Sequence, residues 1–319
     1  MNDLAAVLDV ALLASTVRMV SPILLAALGG TLTERAGIFN IALEGLMIFG
    51  AFFAVVGTAW TGDPALGLLA AVAASVLLAL VFGVVVVSLK GDAIVAGLAI
   101  NLFALGATTF LMREIFGVQG GYYDPTMVGL ADLHIPILAD IPPLGSMLSD
   151  QTILVWVGLA MVIVLQVFLF HHPGGIRLRA VGIDPVAASS VGIRVRRIQY
   201  GAVLASGALC GLAGAQLSLG LVTQFVEGMT AGRGFIALVA VMFGRAHPVG
   251  VLLASVFFGF AYALALRLQG AGTIPPQLLT MLPYLATILA LVVIYARRAS
   301  RRKAHSALDD APPEVEAAT

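Results

Sequence analysis

Asn40 and Glu44 are the first residues in the chain whose chemistry asks for an account. A carboxamide and a carboxylate stand four positions apart in an apolar stretch, 38–58, and on a helix that spacing puts them on one face. Asn101 and Thr108, with Gly97, fall near one face of a second apolar stretch, 93–114. Polar groups in apolar surroundings do one of two things. They hydrogen-bond a polar solute on its way through, or they bond neighbouring helices and fix their packing. For Glu44 both readings stand. For Asn101 and Thr108 packing is the first reading. Phe235 adds a flat ring and Gln224 another carboxamide near a short segment, 229–244. Its uncharged part, Gly234–Gly244, has 11 residues and reaches only about 16 Å as a helix. An interrupted segment of that length belongs beside a pathway.

Reactive chemistry is hard to find elsewhere. The chain has no Gly-x-x-x-x-Gly-Lys-Ser/Thr phosphate loop, and its only lysines are Lys90 and Lys303. It has no His-Glu-x-x-His, no paired cysteines and no Gly-x-Ser-x-Gly elbow, so neither a metal site nor a nucleophile is expected. Cys210, the single cysteine, stands among Ser206, Gly207, Gly211 and Gly214 and reads as a small packing residue. His171 and His172 read as residues of a membrane edge.

The elements that must carry these residues follow from composition. The 319 residues are 60% hydrophobic and 11% charged, too apolar to cover a soluble surface. Leu66–Leu89, Ala93–Met112, Ile198–Val226, Ala246–Leu266 and Leu268–Ala296 contain no charged residue. Each is at least as long as the roughly 20 residues that cross a bilayer as a helix. None alternates with the period of a barrel strand. The expected fold is an all-α polytopic membrane protein of about nine helices: 8–32, 38–58, 65–89, 93–114, 152–170, 198–220, 229–244, 249–267 and 277–296. They form one transmembrane domain over 1–303, followed by an acidic, disordered cytoplasmic tail, 304–319. Residues 117–151, with no lysine or arginine and four prolines, are expected as a loop. The N-terminus has no basic region or cleavage site, so no signal peptide is expected. Nine helices place 13 of the 17 basic residues on one side, which puts the N-terminus outside and the C-terminus in the cytoplasm. Nine also gives the helices before and after the fifth opposite orientations. With the loose match of Arg35–Gly50 to Arg233–Gly244, that suggests an inverted repeat with a short broken helix. Net charge is zero, and no nucleic acid is expected as a partner.

The cytoplasmic loop 171–197 holds five arginines and a compact helix signal. Asp184 can cap, Pro185 suits the first helical position, Val186–Val191 follow, and Gly192 closes. Ala187 and Ala188 leave a surface that another protein can approach closely. The plainer reading is a basic connector held at the membrane surface.

Three stretches carry a resemblance. Thr31–Met47 (TLTERAGIFNIALEGLM) looks like the start of permease subunits of bacterial ABC importers, in the family for branched-chain amino acids, simple sugars and nucleosides. Arg179–Ala188 with Gly192-Ile193 is similar to the family's cytoplasmic coupling segment, and Gly232–Leu238 with Phe243-Gly244-Arg245 and Pro248 resembles a third family stretch. Ile183 departs from the pattern, where such permeases often have Glu or Asn. The wording leans toward the nucleoside and simple-sugar branch. The resemblance implies a multi-pass protein of the cell membrane that is not itself an enzyme and holds no cofactor. ATP is then bound by a separate ATPase subunit, docked on Asp184, Pro185, Ala187, Ala188 and Gly192. It also implies a second permease subunit, identical or related, and an extracytoplasmic substrate-binding protein. Asn40, Glu44, Asn101, Thr108, Gln224 and Phe235 are the expected pathway residues, with Phe235 placed to stack a base. Nucleosides are the expected permeant and sugars such as ribose or galactose the alternative. An ion-coupled secondary transporter is the reading from another class, and it needs intramembrane carboxylates where only Glu44 stands well inside a helix.

Overall fold

Charge-free runs of this length become helices because hydrocarbon offers no partner for a backbone N–H or C=O, and a helix satisfies both internally. The computed structural model describes residues 10–134 and 150–270, and beyond them 278, 279, 281–283, 285, 287, 288 and 292. In order, α1 is Val10–Arg35, α2 Leu43–Thr61, α3 Pro64–Gly83 and α4 Ala93–Phe116. Strands β1 (Gly121–Tyr122), β2 (Asp132–His134) and β3 (Asp150–Thr152) precede α5, Ile153–His171. Then come α6 (Pro173–Ile183), α7 (Pro185–Ser190), α8 (Val195–Ala215), β4 (Phe225–Val226), α9 (Arg233–Phe243) and α10 (Pro248–Gly270). Turns of π-helix, Val84–Ser88 and Gln216–Leu221, extend α3 and α8.

Seven helices among the described residues are long and apolar enough to cross a membrane, and α9 is a shorter apolar helix. The expected ninth helix, 277–296, lies largely outside the described residues, and the tail 304–319 lies wholly outside them. The chain divides into two compact units, Met1–Leu264 and Ala265–Thr319. In the second, the described positions are the end of α10 and scattered helical residues from 278 to 292.

Helix ends follow the local sequence. Gly62 (φ +72°) closes α2, the Asp63 carboxylate accepts from Ala65 N at 2.8 Å, and Pro64 opens α3. Asp92 caps α4 the same way, accepting from Ile94 N and Val95 N, both at 2.9 Å. Two features differ from expectation. Asn40 is not on a helix: Gly37 (φ +77°) turns the chain after α1, and α2 begins only at Leu43. Asn40 and Glu44 therefore do not share a helix face. The loop 171–197 holds an additional helix, α6, because Pro173 takes the first position and His172 Nδ1 accepts from Gly174 N at 3.1 Å. The loop 117–151 is tied down at both ends, β1 pairing antiparallel with β4 and β2 with β3.

Within the first unit α8 is the hub, packed on α1, α2 and α3. Its span is 78% buried, while that of α4 is 28% buried and lies at the rim. The small residues of α8 explain this. Gly211 lies against Gly50 of α2, where an added Cβ on Gly50 would stand 2.7 Å from the Gly211 Cα. Lipid tails give no hydrophobic drive between helices, so close backbone approach and dispersion hold such contacts. Cys210 is buried in this seam. Midway along α2 the core is aromatic, with Phe52 edge-on to Phe53, Phe116 and Phe225.

Candidate functional site

The non-helical link between α1 and α2, residues 36–42, exposes backbone groups inside an apolar bundle, and side chains from distant helices take them up. Asn40 Oδ1 accepts from Ala42 N at 3.0 Å, and its Nδ2 donates to Ser206 Oγ of α8 at 3.2 Å. Asn101 of α4 works on the same break. Its Oδ1 accepts from Gly45 N at 2.7 Å, and its Nδ2 donates to the Ile41 carbonyl at 3.0 Å. Two of the free N–H groups at the start of α2, those of Ala42 and Gly45, are thus satisfied by carboxamides, one local and one borrowed.

Glu44, in that first turn, serves another helix. Its Oε1 accepts from Gly232 N at 2.9 Å and its Oε2 from Gly234 N at 2.6 Å. Those amides open α9, whose N-cap residue, Gly232 (φ +80°), supplies no side-chain cap of its own. A carboxylate at a helix N-terminus also meets the positive end of the helix dipole. The contact requires glycine: a Cβ on Gly234 would collide with the Glu44 backbone, and one on Gly45 would stand 2.9 Å from the Asn101 Cα. Arg233, between the two donors, turns back. Its Nη1 donates to the Met229 carbonyl at 2.9 Å, and its guanidinium lies 4.8 Å from the Tyr262 ring centre.

Asn40, Glu44 and Asn101 therefore converge on the starts of α2 and α9. Phe235 stands one residue beyond Gly234 and is 40% exposed. Met242, on the same face two turns later, is also exposed. Thr108 is apart from this group. It is buried and donates to the Ala104 carbonyl of its own helix at 2.8 Å. Gln224 lies in the segment after α8, where its N–H donates to the Ser218 carbonyl at 3.0 Å and its neighbour Phe225 packs on Phe52. Sequence reasoning missed Ser206, Gly232 and Gly234. The signal for the two glycines was present in Gly232-Arg233-Gly234, a helix start with no capping side chain of its own.

The second candidate region is α7. Asp184 Oδ1 accepts from Val186 N at 2.9 Å and Ala187 N at 3.0 Å, Pro185 occupies the first position, and Gly192 (φ +81°) follows the helix. Ala187 faces outward, whereas Ala188 is 4% exposed and faces the chain's own interior. The outward surface is apolar: Ile183, Val186 and Val191 are each at least 75% exposed. Three apolar side chains are thus left exposed around one short helix.

The arrangement is that of a helical polytopic membrane protein with a half-length helix clamped at its start and a short helix projecting beyond the bundle. The comparisons give the family. Residues 12–296 match the model described as branched-chain amino acid transport system / permease component, and the chain belongs to that family. It is 38% identical over 305 residues to the guanosine ABC transporter permease protein NupQ of Bacillus subtilis, covering 92% of this chain and 95% of that one. It is 34% identical over 287 residues to the nucleoside ABC transporter permease protein NupC of Lactococcus lactis, covering 87% and 90%. A putative glucose ABC transporter permease protein, TsgC13 of Haloferax volcanii, is 34% identical over 316 residues, covering 92% and 94%.

Proposed function

We propose that this chain is the membrane-spanning subunit of a nucleoside importer. It forms part of the pathway, a separate ATPase drives it, a second permease subunit encloses the path with it, and an extracytoplasmic binding protein feeds it. The observation that carries the reading is the 38% identity over nearly the whole chain to a guanosine permease. The N-terminus lies outside and the C-terminus in the cytoplasm, following the basic residues. This leaves α7 in the cytoplasm, its apolar side chains seated against the ATPase.

The site favours a neutral permeant. In many transporters the positive end of a broken helix receives a substrate carboxylate. Here Glu44 already takes the α9 amides, so an amino acid's carboxylate would meet a carboxylate instead. A nucleoside brings hydroxyls and a flat base, which suit the exposed Phe235 ring. Asn40, Glu44 and Asn101 act from behind, holding the helix starts that present it. Glu44 supports an ion-coupled reading less well, because both its oxygens are engaged. The test is purification of the chain from native membranes. A co-purifying P-loop ATPase, whose hydrolysis rises when a binding protein loaded with nucleoside is added, is expected. Transport by the chain alone, with no ATPase attached and uptake following an ion gradient, would reject the proposal.

A further inference from the structure

We propose that a cleft between the ends of α1, α6 and α9 binds a phosphate-bearing anion. It has a volume of about 410 Å³ and is lined by Arg35, Arg179 and Arg245. Glu34 is the only carboxylate in its lining among the described residues, whose charges there leave a surplus of two positive. Small-ligand sites begin at roughly 300 Å³, so a phosphate fits with room for the group that bears it.

The arginines are not simply solvated charges at a membrane edge. Arg35 is fixed: its Nε donates to the Ala246 carbonyl at 2.7 Å and its Nη2 to the Arg245 carbonyl at 3.0 Å, which leaves Nη1 available. Arg179 and Arg35 both stand over the Phe170 ring, 4.8 and 5.8 Å from its centre. Two guanidiniums gathered at one ring repel each other, and an anion between them relieves that repulsion. The Arg179 Nε is buried and has no hydrogen-bond partner. Arg245 sits in a turn of positive φ (+53°), the conformation that Arg35 holds through its two carbonyl contacts. A planar fork of N–H donors pairs bidentately with phosphate as it does with carboxylate, and the surplus of two positive charges suits the higher charge of a phosphate. Met242, 61% exposed, lines the same cleft and offers apolar contact to the rest of the ligand. Two sources carry this chemistry, an anionic phospholipid headgroup and a soluble phosphate monoester. Basic pockets between helices at the cytoplasmic surface are known to suit headgroups.

The proposal does not depend on the transport reading, because binding is read without uptake. The full chain is placed in phosphatidylcholine nanodiscs. Its thermal midpoint is followed against adenosine monophosphate and inorganic phosphate, with adenosine and chloride at matched ionic strength as controls. In parallel, lipid retained from nanodiscs containing phosphatidylglycerol is weighed by native mass spectrometry. Saturable stabilisation by the phosphates, or selective retention of phosphatidylglycerol, is expected, and whichever occurs identifies the source. Arg179→Ala and Arg245→Ala should each weaken that binding about tenfold or more, the loss of one charge-assisted contact. Arg35 is left intact because it holds the Arg245 turn. If Arg179→Ala fails to fold, the exposed Arg245→Ala still carries the test. No preference over the controls, or unchanged binding in Arg245→Ala, overturns the proposal. So does wild-type chain that binds no phosphate while Arg245→Glu loses its ATPase partner, which would assign the cleft to a carboxylate of that subunit.

Discussion

Replacing Glu44 by Gln changes one oxygen of the α9 clamp into a donor and leaves the side chain's size unaltered. Glu44 now accepts from Gly232 N at 2.9 Å and from Gly234 N at 2.6 Å. Gln can accept from only one of them, so the other N–H faces an NH2 group. A hydrogen bond to a charged acceptor contributes about 1.5–3 kcal/mol. The charge at the helix N-terminus contributes about 0.3–1 kcal/mol more. The expected cost is therefore about 2–4 kcal/mol, concentrated on the start of α9. The variant should unfold at a lower temperature in detergent, and uptake per inserted molecule should fall because Phe235 loses its fixed position. Glu44→Asp, too short to reach both amides, should fall between the two. Two readouts check this, the thermal midpoint of purified protein and nucleoside uptake normalised to the amount of protein in the membrane. Wild-type midpoint and wild-type uptake in Glu44→Gln would refute the clamp. A normal midpoint with uptake alone lost would assign Glu44 to the permeant instead.

Further outcomes follow from the same geometry. Gly214→Val should abolish assembly, since a side chain there collides with the Met47 carbonyl of α2; normal membrane yield would contradict the tight seam along α8. Asn101→Ala removes both carboxamide contacts to the start of α2 and should destabilise by about 1–3 kcal/mol, read as a lowered midpoint. Val186→Asp puts a charge on the exposed apolar face of α7 and should release the ATPase while the thermal midpoint holds; unchanged co-purification would remove α7 from the docking surface. In a Cys210→Ser background, Gly121→Cys and Asp63→Cys should react with an impermeant thiol reagent on sealed cells. Ser190→Cys should react only after lysis, and its labelling in sealed cells would invert the topology.

Local chemistry was legible in the sequence wherever its partners are neighbours. Gly62-Asp63-Pro64 states a helix end, a cap and a first position in three consecutive residues, and the structure uses each so. Asp184-Pro185 with Gly192 bounds α7 for the same reason. The charge-free runs 66–89, 93–112, 198–226 and 246–266 each coincide with a long apolar helix among the described residues, because length and hydropathy decide such spans. What stayed hidden depends on partners far along the chain. Glu44 caps a helix 188 residues away, and no periodicity in 38–58 reports that. The apolar run continues through 38–42 and predicts helix at Asn40, although Gly37 turns the chain just before it. The helix signal in 171–197 covers α7 only, and α6 lies outside it. Gly175 is there for contact, since a side chain would collide with the Phe168 carbonyl of α5. The outward residue on α7 could not be chosen between Ala187 and Ala188 without knowing which face the bundle covers.

The proposed function is import of nucleosides across the membrane at the expense of ATP. The direct measurement is uptake of radiolabelled guanosine and adenosine by cells lacking other nucleoside transport, with and without this chain and its partner subunits. Uptake should appear only with the complete set and should persist when the proton gradient is collapsed but ATP is kept. Unlabelled nucleosides should compete, and ribose, galactose or leucine should not. Competition by a sugar or an amino acid with none from nucleosides, or loss of uptake with the gradient alone, would contradict the account.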